Sequence, residues 1–160
     1  MKSKSNYCRL ALLFVLFSMT FLFPSCKARK LIGTWELVQH ERYDRTNGEI
    51  EDMQIVNSST ASAEEMVTWT RIYKRNRTVV HPNAPWAGVG KWKLKKGIFY
   101  IFPQQADGTY DKQYPYKWKV LKLNFTEFIH ESRTKGEMEA ADGKTDYFEE
   151  YIKITYKKIE

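Results

Sequence analysis

Short runs of apolar and β-branched residues, separated by turn residues, fill the chain from about residue 31 onwards and most constrain its fold. In the clearest run, Trp92 and Leu94 alternate with three lysines. This two-residue period places the apolar side chains on one face of a strand and the charged ones on the other. Asn47-Gly48 favours a type I′ turn, because both central positions of that turn need positive φ. The pattern indicates a sheet of short, half-buried strands.

The number of such runs favours a closed barrel. An antiparallel meander that closes leaves no exposed edge, and no long helix is predicted. We therefore predict an all-β domain over 31–160, an antiparallel up-and-down β-barrel of about eight strands. The predicted strands run approximately over 33–43, 49–56, 66–73, 78–81, 88–95, 98–102, 116–120, 126–132 and 147–158. We expect a helix or disordered loop at 57–65, a turn at 121–125 and a polar connection at 133–146. A barrel of this size is either filled by side chains or holds one small ligand.

The segment 1–25 has the pattern of a secretory signal. Residues 1–9 are basic and contain no acid, and residues 10–23 carry no charge. A basic head before a short apolar run is typical of an export signal. A membrane span needs about 20 apolar residues, so this run is too short to cross comfortably. The alternative is a short anchoring helix that is never cleaved.

Cys26 follows the apolar run directly and is preceded by Ser25. The stretch 22–26 resembles a bacterial lipobox, in which the cysteine is diacylated and becomes the new N-terminus. This interpretation gives a signal over 1–25, a lipidated Cys26 and a short basic tether over 27–30. An ordinary signal would instead leave a reactive free thiol. We therefore expect a lipid-anchored protein of the cell envelope, on the outer membrane. Surface lipoproteins of some bacterial groups resemble one another in carrying acids directly after the cysteine, and their absence from 27–30 favours a position that faces the periplasm.

The charge balance is modest once the leader is removed. Taking Lys2, Lys4 and Arg9 from the 26 basic residues leaves 23 against 19 acidic residues, a net charge of +4. An exported protein of this charge is not expected to bind nucleic acid. Weak attraction to an anionic membrane surface is one interpretation, and a solvated surface of mixed charge is the preferred one.

The start of the first strand carries a family resemblance. Gly33-Thr34-Trp35 resembles the Gly-x-Trp motif of lipocalins, and with the lipobox it resembles the lipocalin-like lipoproteins common in Bacteroidetes-type bacteria. The run 90–94 resembles their Gly-x-Trp-x-Leu strand, and 116–130 resembles their closing strand pair. The resemblance implies a barrel that binds a small apolar molecule.

The resemblance also implies two further features. In lipocalins an Arg near the end of the barrel covers the first-strand Trp, and the last strand here offers Lys153 and Lys157 in its place. The lid over the barrel mouth would correspond to 57–65. Trp35 is then a plug at the closed end of the barrel, with any ligand at the opposite mouth.

No motif for catalysis or for a cofactor occurs in the chain, so we predict neither an enzyme nor a bound cofactor. His40, His81 and His130 lie in separate strand regions without the spacing of metal ligands, and no metal site is predicted. His130 shares a face with Phe128. If that face points inward, His130 is a candidate polar group in a pocket.

Aromatic residues are the remaining signal. Trp69, Arg71 and Tyr73 share one strand face. Inside a barrel this trio would hold the acidic head group of an amphipathic ligand; outside, it is an ordinary cation–π cluster, which we prefer at this stage. Trp92 and Trp118 are expected to be core residues rather than ligand contacts. The candidate ligand-binding residues are Trp69, Arg71, Tyr73, Trp92, Trp118 and His130.

The leading hypothesis is a membrane-tethered, monomeric lipocalin-like lipoprotein that binds a small hydrophobic or amphipathic ligand. The first alternative is an interaction module of an envelope complex, with a filled barrel and a protein partner on its outer face. The second is glycan binding through loop aromatics such as Trp86. The residues name no particular ligand.

Overall fold

A computed structural model describes residues 26–57, 60, 70–82, 89–139 and 143–160. The leader 1–25, nearly all of the segment 57–65, Trp69 and Trp86 lie outside these residues. The described elements are one helix, α1 (Cys26–Leu31), and the strands β1 (Gly33–Thr46), β2 (Glu49–Asn57), β3 (Arg71–Tyr73), β4 (Thr78–Val80), β5 (Val89–Lys95), β6 (Ile98–Pro103), β7 (Tyr116–Leu123), β8 (Glu127–Glu139) and β9 (Thr145–Lys158).

The strands form a closed antiparallel barrel, which confirms the predicted fold class. Eight strands close it, in the order β1, β3, β4, β5, β6, β7, β8 and β9, and β9 returns to pair with β1. The first half of β1 pairs with β3 and its second half pairs with β2. β2 is therefore a ninth strand, which continues the line of β3 along the same edge of β1.

Two tight turns have the backbone that their residues predict. Asn47 and Gly48 have φ of 52° and 88°, and they join β1 to β2. Lys96 and Gly97 have φ of 50° and 79°, and they join β5 to β6. Positive φ at both central positions is the type I′ geometry whose twist matches that of a hairpin.

Two predicted connections, the turn at 121–125 and the polar connection at 133–146, were wrong. β7 continues to Leu123, and the turn begins at Asn124, whose side-chain oxygen accepts hydrogen bonds from the backbone N–H groups of Thr126 and Glu127. The expected polar connection over 133–146 is largely strand, because β8 runs to Glu139 and pairs there with Thr145 of β9. These residues are largely exposed, so they carry no alternation of apolar and polar side chains that would reveal a strand.

The long strands extend past the barrel as a four-stranded sheet, which we call the extension. It consists of residues 41–46, 49–55, 131–139 and 145–153. Ion pairs cross its strands: Lys153 Nζ lies 2.7 Å from Glu41 Oε1, and Arg133 Nε lies 3.1 Å from Glu149 Oε1. Partly exposed pairs of this kind contribute about 0–1 kcal/mol each, so the backbone ladder holds the extension together.

The core lies at the end of the barrel next to α1. Five aromatic side chains are fully buried there and meet mostly edge to face, as in the Phe99–Phe128 pair, whose ring centres lie 5.2 Å apart. We call this group the aromatic plug; it consists of Trp35, Tyr73, Phe99, Phe128 and Tyr156. Edge-to-face pairs contribute about 0.5–1.5 kcal/mol beyond the area they bury.

Helix α1 closes this end of the barrel. Ala28 and Leu31 are buried in the core, and Trp35 Nε1 donates a 2.7 Å hydrogen bond to the carbonyl oxygen of Leu31. The residues expected to form a short basic tether are therefore helical, and one side of the helix packs on the barrel. The indole N–H of Trp35 therefore has a hydrogen-bond partner in α1, as a buried Trp needs.

A lysine covers Trp35, but it is neither of the two predicted. Lys158 Nζ lies 5.7 Å from the centre of the Trp35 ring and donates a 2.5 Å hydrogen bond to the carbonyl oxygen of Ile32. Lys153 instead pairs with Glu41 on the outer face of the extension. In the register of β1 against β9, Lys158 pairs with Trp35, whereas Lys157 pairs with Glu36.

Candidate functional site

A cavity of about 460 Å³ lies above the aromatic plug, at the end of the barrel away from α1. This volume falls within the range of roughly 300–1,000 Å³ that small-molecule sites occupy. Most of its wall is apolar, and no described lining residue is an acid. The lining residues are His40, Arg71, Val79, His81, Val89, Gly90, Ile101, Pro103, Gln104, Tyr116, Trp118, Ile152 and Ile154.

Arg71 provides a positive charge at the base of this cavity. It pairs with Trp35 in the strand register, and its guanidinium carbon lies 5.4 Å from the centre of the Tyr156 ring. The Nε and Nη1 atoms are buried and have no hydrogen-bond partner within the described part of the chain. The preferred placement of Arg71 on the outer surface was therefore wrong: its side chain lies inside the barrel.

Three further buried groups near Arg71 lack hydrogen-bond partners among the described residues. They are the hydroxyls of Tyr73 and Tyr156 and both ring nitrogens of His130. Tyr73 is close enough to Arg71 for electrostatic interaction, although the two make no well-formed hydrogen bond. We call the set Arg71, Tyr73, His130 and Tyr156 the polar floor of the cavity. Unpaired buried polar groups are uncommon, and a bound molecule or water normally satisfies them.

The tyrosines of the polar floor stay protonated at neutral pH. Burial raises the pKa of both Tyr73 and Tyr156, and the positive charge of Arg71 opposes this rise without cancelling it. A protonated phenol is a hydrogen-bond donor. The floor beneath the cavity therefore contains a guanidinium and two hydroxyl donors.

The three histidines around the cavity are neutral at neutral pH. Burial and then the charge of Arg71 hold the pKa of His130 well below its usual value, and the same two causes lower the pKa of His81 to about 4. The pKa of His40 is lowered by burial, by Arg42 and by Arg71. Arg71 is thus the one permanent charge among the described residues that line the cavity.

The predicted ligand-binding residues fall into three groups. Arg71 and Trp118 line the cavity, whereas Tyr73 and His130 lie beneath it, with the His130 ring centre 4.7 Å from that of Trp118. Trp92 is apart from them: it packs on Tyr73 at the closed end. Trp69 lies outside the described residues. The motif residues Gly33 and Trp35 belong to the closed end.

Several lining residues were not predicted, and His40 shows why. The two-residue period places Gln39 on the face of Trp35 and Leu37. A bulge between Leu37 and Gln39 shifts the register of β1 against β9, so His40 faces the cavity and Gln39 does not. A bulge inserts one residue and reverses every later side chain. No local residue pattern marks this bulge.

Among the described residues, no three His, Cys, Asp or Glu side chains lie close enough together to hold a metal ion. No described helix is long and apolar enough to cross a membrane. No protein-family model, curated protein or solved structure matches the chain.

Proposed function

We propose that the barrel binds a small amphipathic molecule whose acidic group contacts Arg71 and whose apolar part fills the cavity. The observation that carries this proposal is a guanidinium with two buried nitrogens and no acidic partner among the described residues, at the base of a mostly apolar cavity. We infer no catalytic activity for this site, and the resemblance to lipocalin-like lipoproteins supports the same class of function.

The charge of the site argues for an anion. Burying an unpaired charge costs several kcal/mol, and an anionic ligand offsets this cost with charge-assisted hydrogen bonds. A ligand with one negative charge matches the single charge of Arg71. A dianion would leave a second charge among neutral histidines and apolar side chains.

The depth of Arg71 sets the orientation of the ligand. Arg71 lies over the Tyr156 ring of the aromatic plug, whereas Tyr116 and Pro103 line the cavity at the strand ends nearest the mouth. The acidic group therefore enters first, and the apolar tail points to the mouth. The hydroxyls of Tyr73 and Tyr156 lie in the polar floor, near Arg71.

A matched pair of probes tests this proposal. A fluorescent long-chain carboxylic acid should bind the purified chain at one saturable site, at least tenfold more tightly than the alcohol of the same chain length, since a hydrogen bond to a charged group contributes about 1.5–3 kcal/mol. Arg71→Met should remove this preference. Arg42→Met removes a charge from the extension and should leave the preference intact. Equal binding of acid and alcohol would refute the role of Arg71.

An interaction module remains the second candidate. Three apolar side chains of β2 are exposed: Ile50, Met53 and Ile55 are 53%, 52% and 39% accessible. Exposed apolar groups on one strand are typical of a protein contact. If neither probe binds and native mass spectrometry shows no added mass, the cavity is not a ligand site and this second function is favoured.

For location, we propose that Cys26 carries a lipid and that the protein acts at a membrane of the cell envelope. Cys26 is the first residue of α1, so the closed end of the barrel would face the membrane and the cavity would open away from it. Replacing Cys26 by Ser should move the protein from the membrane fraction to the soluble fraction. Retention of this variant in membranes would contradict the lipid anchor.

A further inference from the structure

A second cavity, of about 590 Å³, lies at the closed end of the barrel beside α1. Three of its lining residues are arginines, and no acid lines it in the described part of the chain. We call it the arginine pocket. It is lined by Ala28, Arg29, Ile32, Arg75, Arg77 and Trp92.

Arg77 is held firmly in this pocket. Its guanidinium carbon lies 4.4 Å from the centre of the Trp92 ring, and its carbonyl oxygen accepts a 2.7 Å hydrogen bond from the Trp92 backbone N–H. Its φ of 67° is in the left-handed region, which a non-glycine residue adopts at a cost of about 1–3 kcal/mol. Ring stacking orients a guanidinium and leaves its N–H edge free to donate.

The other two arginines complete a basic surface. Arg29 comes from α1 and Arg75 from the turn between β3 and β4, and both are exposed. None of the three arginines forms an ion pair with another described residue. Three positive charges around one cavity repel each other unless an anion lies between them.

We propose that the arginine pocket binds a phosphate group. Guanidinium groups donate paired hydrogen bonds that match phosphate oxygens, and several of them around one cavity can contact a phosphate group from more than one side. The phosphate comes either from the headgroup of an anionic lipid or from a soluble phosphate compound. The site is separate from the barrel cavity, so either proposal stands if the other fails.

The position of the pocket agrees with a lipid source. Arg29 is three residues from Cys26, and the pocket adjoins the end of the barrel that a lipid on Cys26 would hold at the membrane. Basic residues close to an anionic membrane surface contribute about 1 kcal/mol each. The lipid source rests on the proposed anchor at Cys26, whereas the phosphate site itself does not.

Hydrogen–deuterium exchange tests the pocket and distinguishes the two sources. The protein is purified from membranes in neutral detergent and placed in nanodiscs of phosphatidylcholine alone, or of phosphatidylcholine with phosphatidylglycerol. Pyrophosphate is added to the first preparation as the soluble probe. Slower exchange over 74–77 and α1 with phosphatidylglycerol supports a headgroup, and slower exchange with pyrophosphate supports a soluble phosphate.

The variant Arg29→Gln/Arg75→Gln should lower the affinity for either probe about tenfold, since it removes two charge-assisted contacts. A higher probe concentration is then needed to slow exchange over 74–77 and α1. Both side chains are exposed, so the fold should tolerate the change. Arg45→Gln/Lys135→Gln removes two positive charges from the extension and is the matched control. Unchanged exchange with both probes, or an equal loss in both variants, would overturn the proposal.

Discussion

The guanidinium carbon of Arg71 lies 5.4 Å from the centre of the Tyr156 ring, so a permanent positive charge rests on the aromatic plug of the barrel. The cation–π attraction offsets only part of the cost of burying this charge. Part of the cost of burying the Arg71 charge therefore remains in the protein without ligand. A bound anion would offset that cost.

Replacing Arg71 by Met should raise the stability of the protein without ligand. Met has a similar length and no charge, and exchanging a poorly compensated buried charge for an apolar side chain stabilises by about 1–4 kcal/mol. Chemical denaturation of the ligand-free protein measures this difference. Arg42→Met is the control, because Arg42 pairs with Asp44 and Glu150, and its loss should not stabilise. A less stable Arg71→Met protein would show that the charge is already compensated.

Stability should fall on acidification before any carboxylate titrates. His40, His81 and His130 have folded-state pKa values below the unfolded value of about 6.5, so the unfolded chain binds more protons below that pH. The free energy of unfolding should be nearly constant from pH 8 to 7 and should decrease from pH 6.5 towards about 4.

Between pH 6.5 and 5 this loss comes from the histidines, since unfolded carboxyl groups titrate lower. His130→Phe should therefore show a smaller slope in that interval, and urea denaturation at several pH values measures it. Identical slopes for both proteins would mean that His130 is already charged in the folded state.

Gly33 should tolerate alanine less well than another glycine with positive φ. Its φ is 135°, and a Cβ at this position would overlap the backbone oxygen of Glu160 and the side chain of Lys158. Gly48 has φ of 88° and open space around it. We expect Gly48→Ala to cost about 1–2 kcal/mol and Gly33→Ala about 3 kcal/mol or more. Thermal denaturation compares the two, and equal losses would remove the steric argument.

Truncation of Trp35 should be among the most damaging changes. Trp35 is fully buried, donates a hydrogen bond to the carbonyl oxygen of Leu31 and packs edge to face on Phe128. Trp35→Ala should lower the free energy of unfolding by about 3–5 kcal/mol. Tyr147→Ala, at an aromatic residue that is 59% exposed, should change it by less than about 0.5 kcal/mol. A loss below 1 kcal/mol for Trp35 would exclude it from the core.

The alternation of side chains predicted the barrel well because burial acts on every second residue of a strand. Trp92 is buried and Leu94 partly buried, as expected, while the lysines beside them lie largely towards solvent. Asn47-Gly48 also behaved as predicted, since its positive φ values are a local property of those two residues.

Elements without this alternation of buried and exposed side chains could not be predicted from the sequence. The extension has few buried side chains, so β8 and β9 continue through residues without apolar alternation. Helix α1 is six residues long and depends on its packing against the barrel, because an isolated helix of that length is unstable. The inward position of Arg71 could not be predicted from nearby residues. The residue pattern of this strand face would be the same whether the face points into the barrel or towards solvent.

The pairing of β1 with β9 has a consequence for how the protein folds. Trp35 pairs with Lys158, and the backbone N–H of Ile159 donates to the carbonyl oxygen of Thr34, so β1 pairs with residues far along the sequence. Contacts about 120 residues apart carry a large loop-closure cost and slow folding. The barrel therefore closes only after β9 is available. Until then one edge of β1 lacks its final partner and is open to other chains.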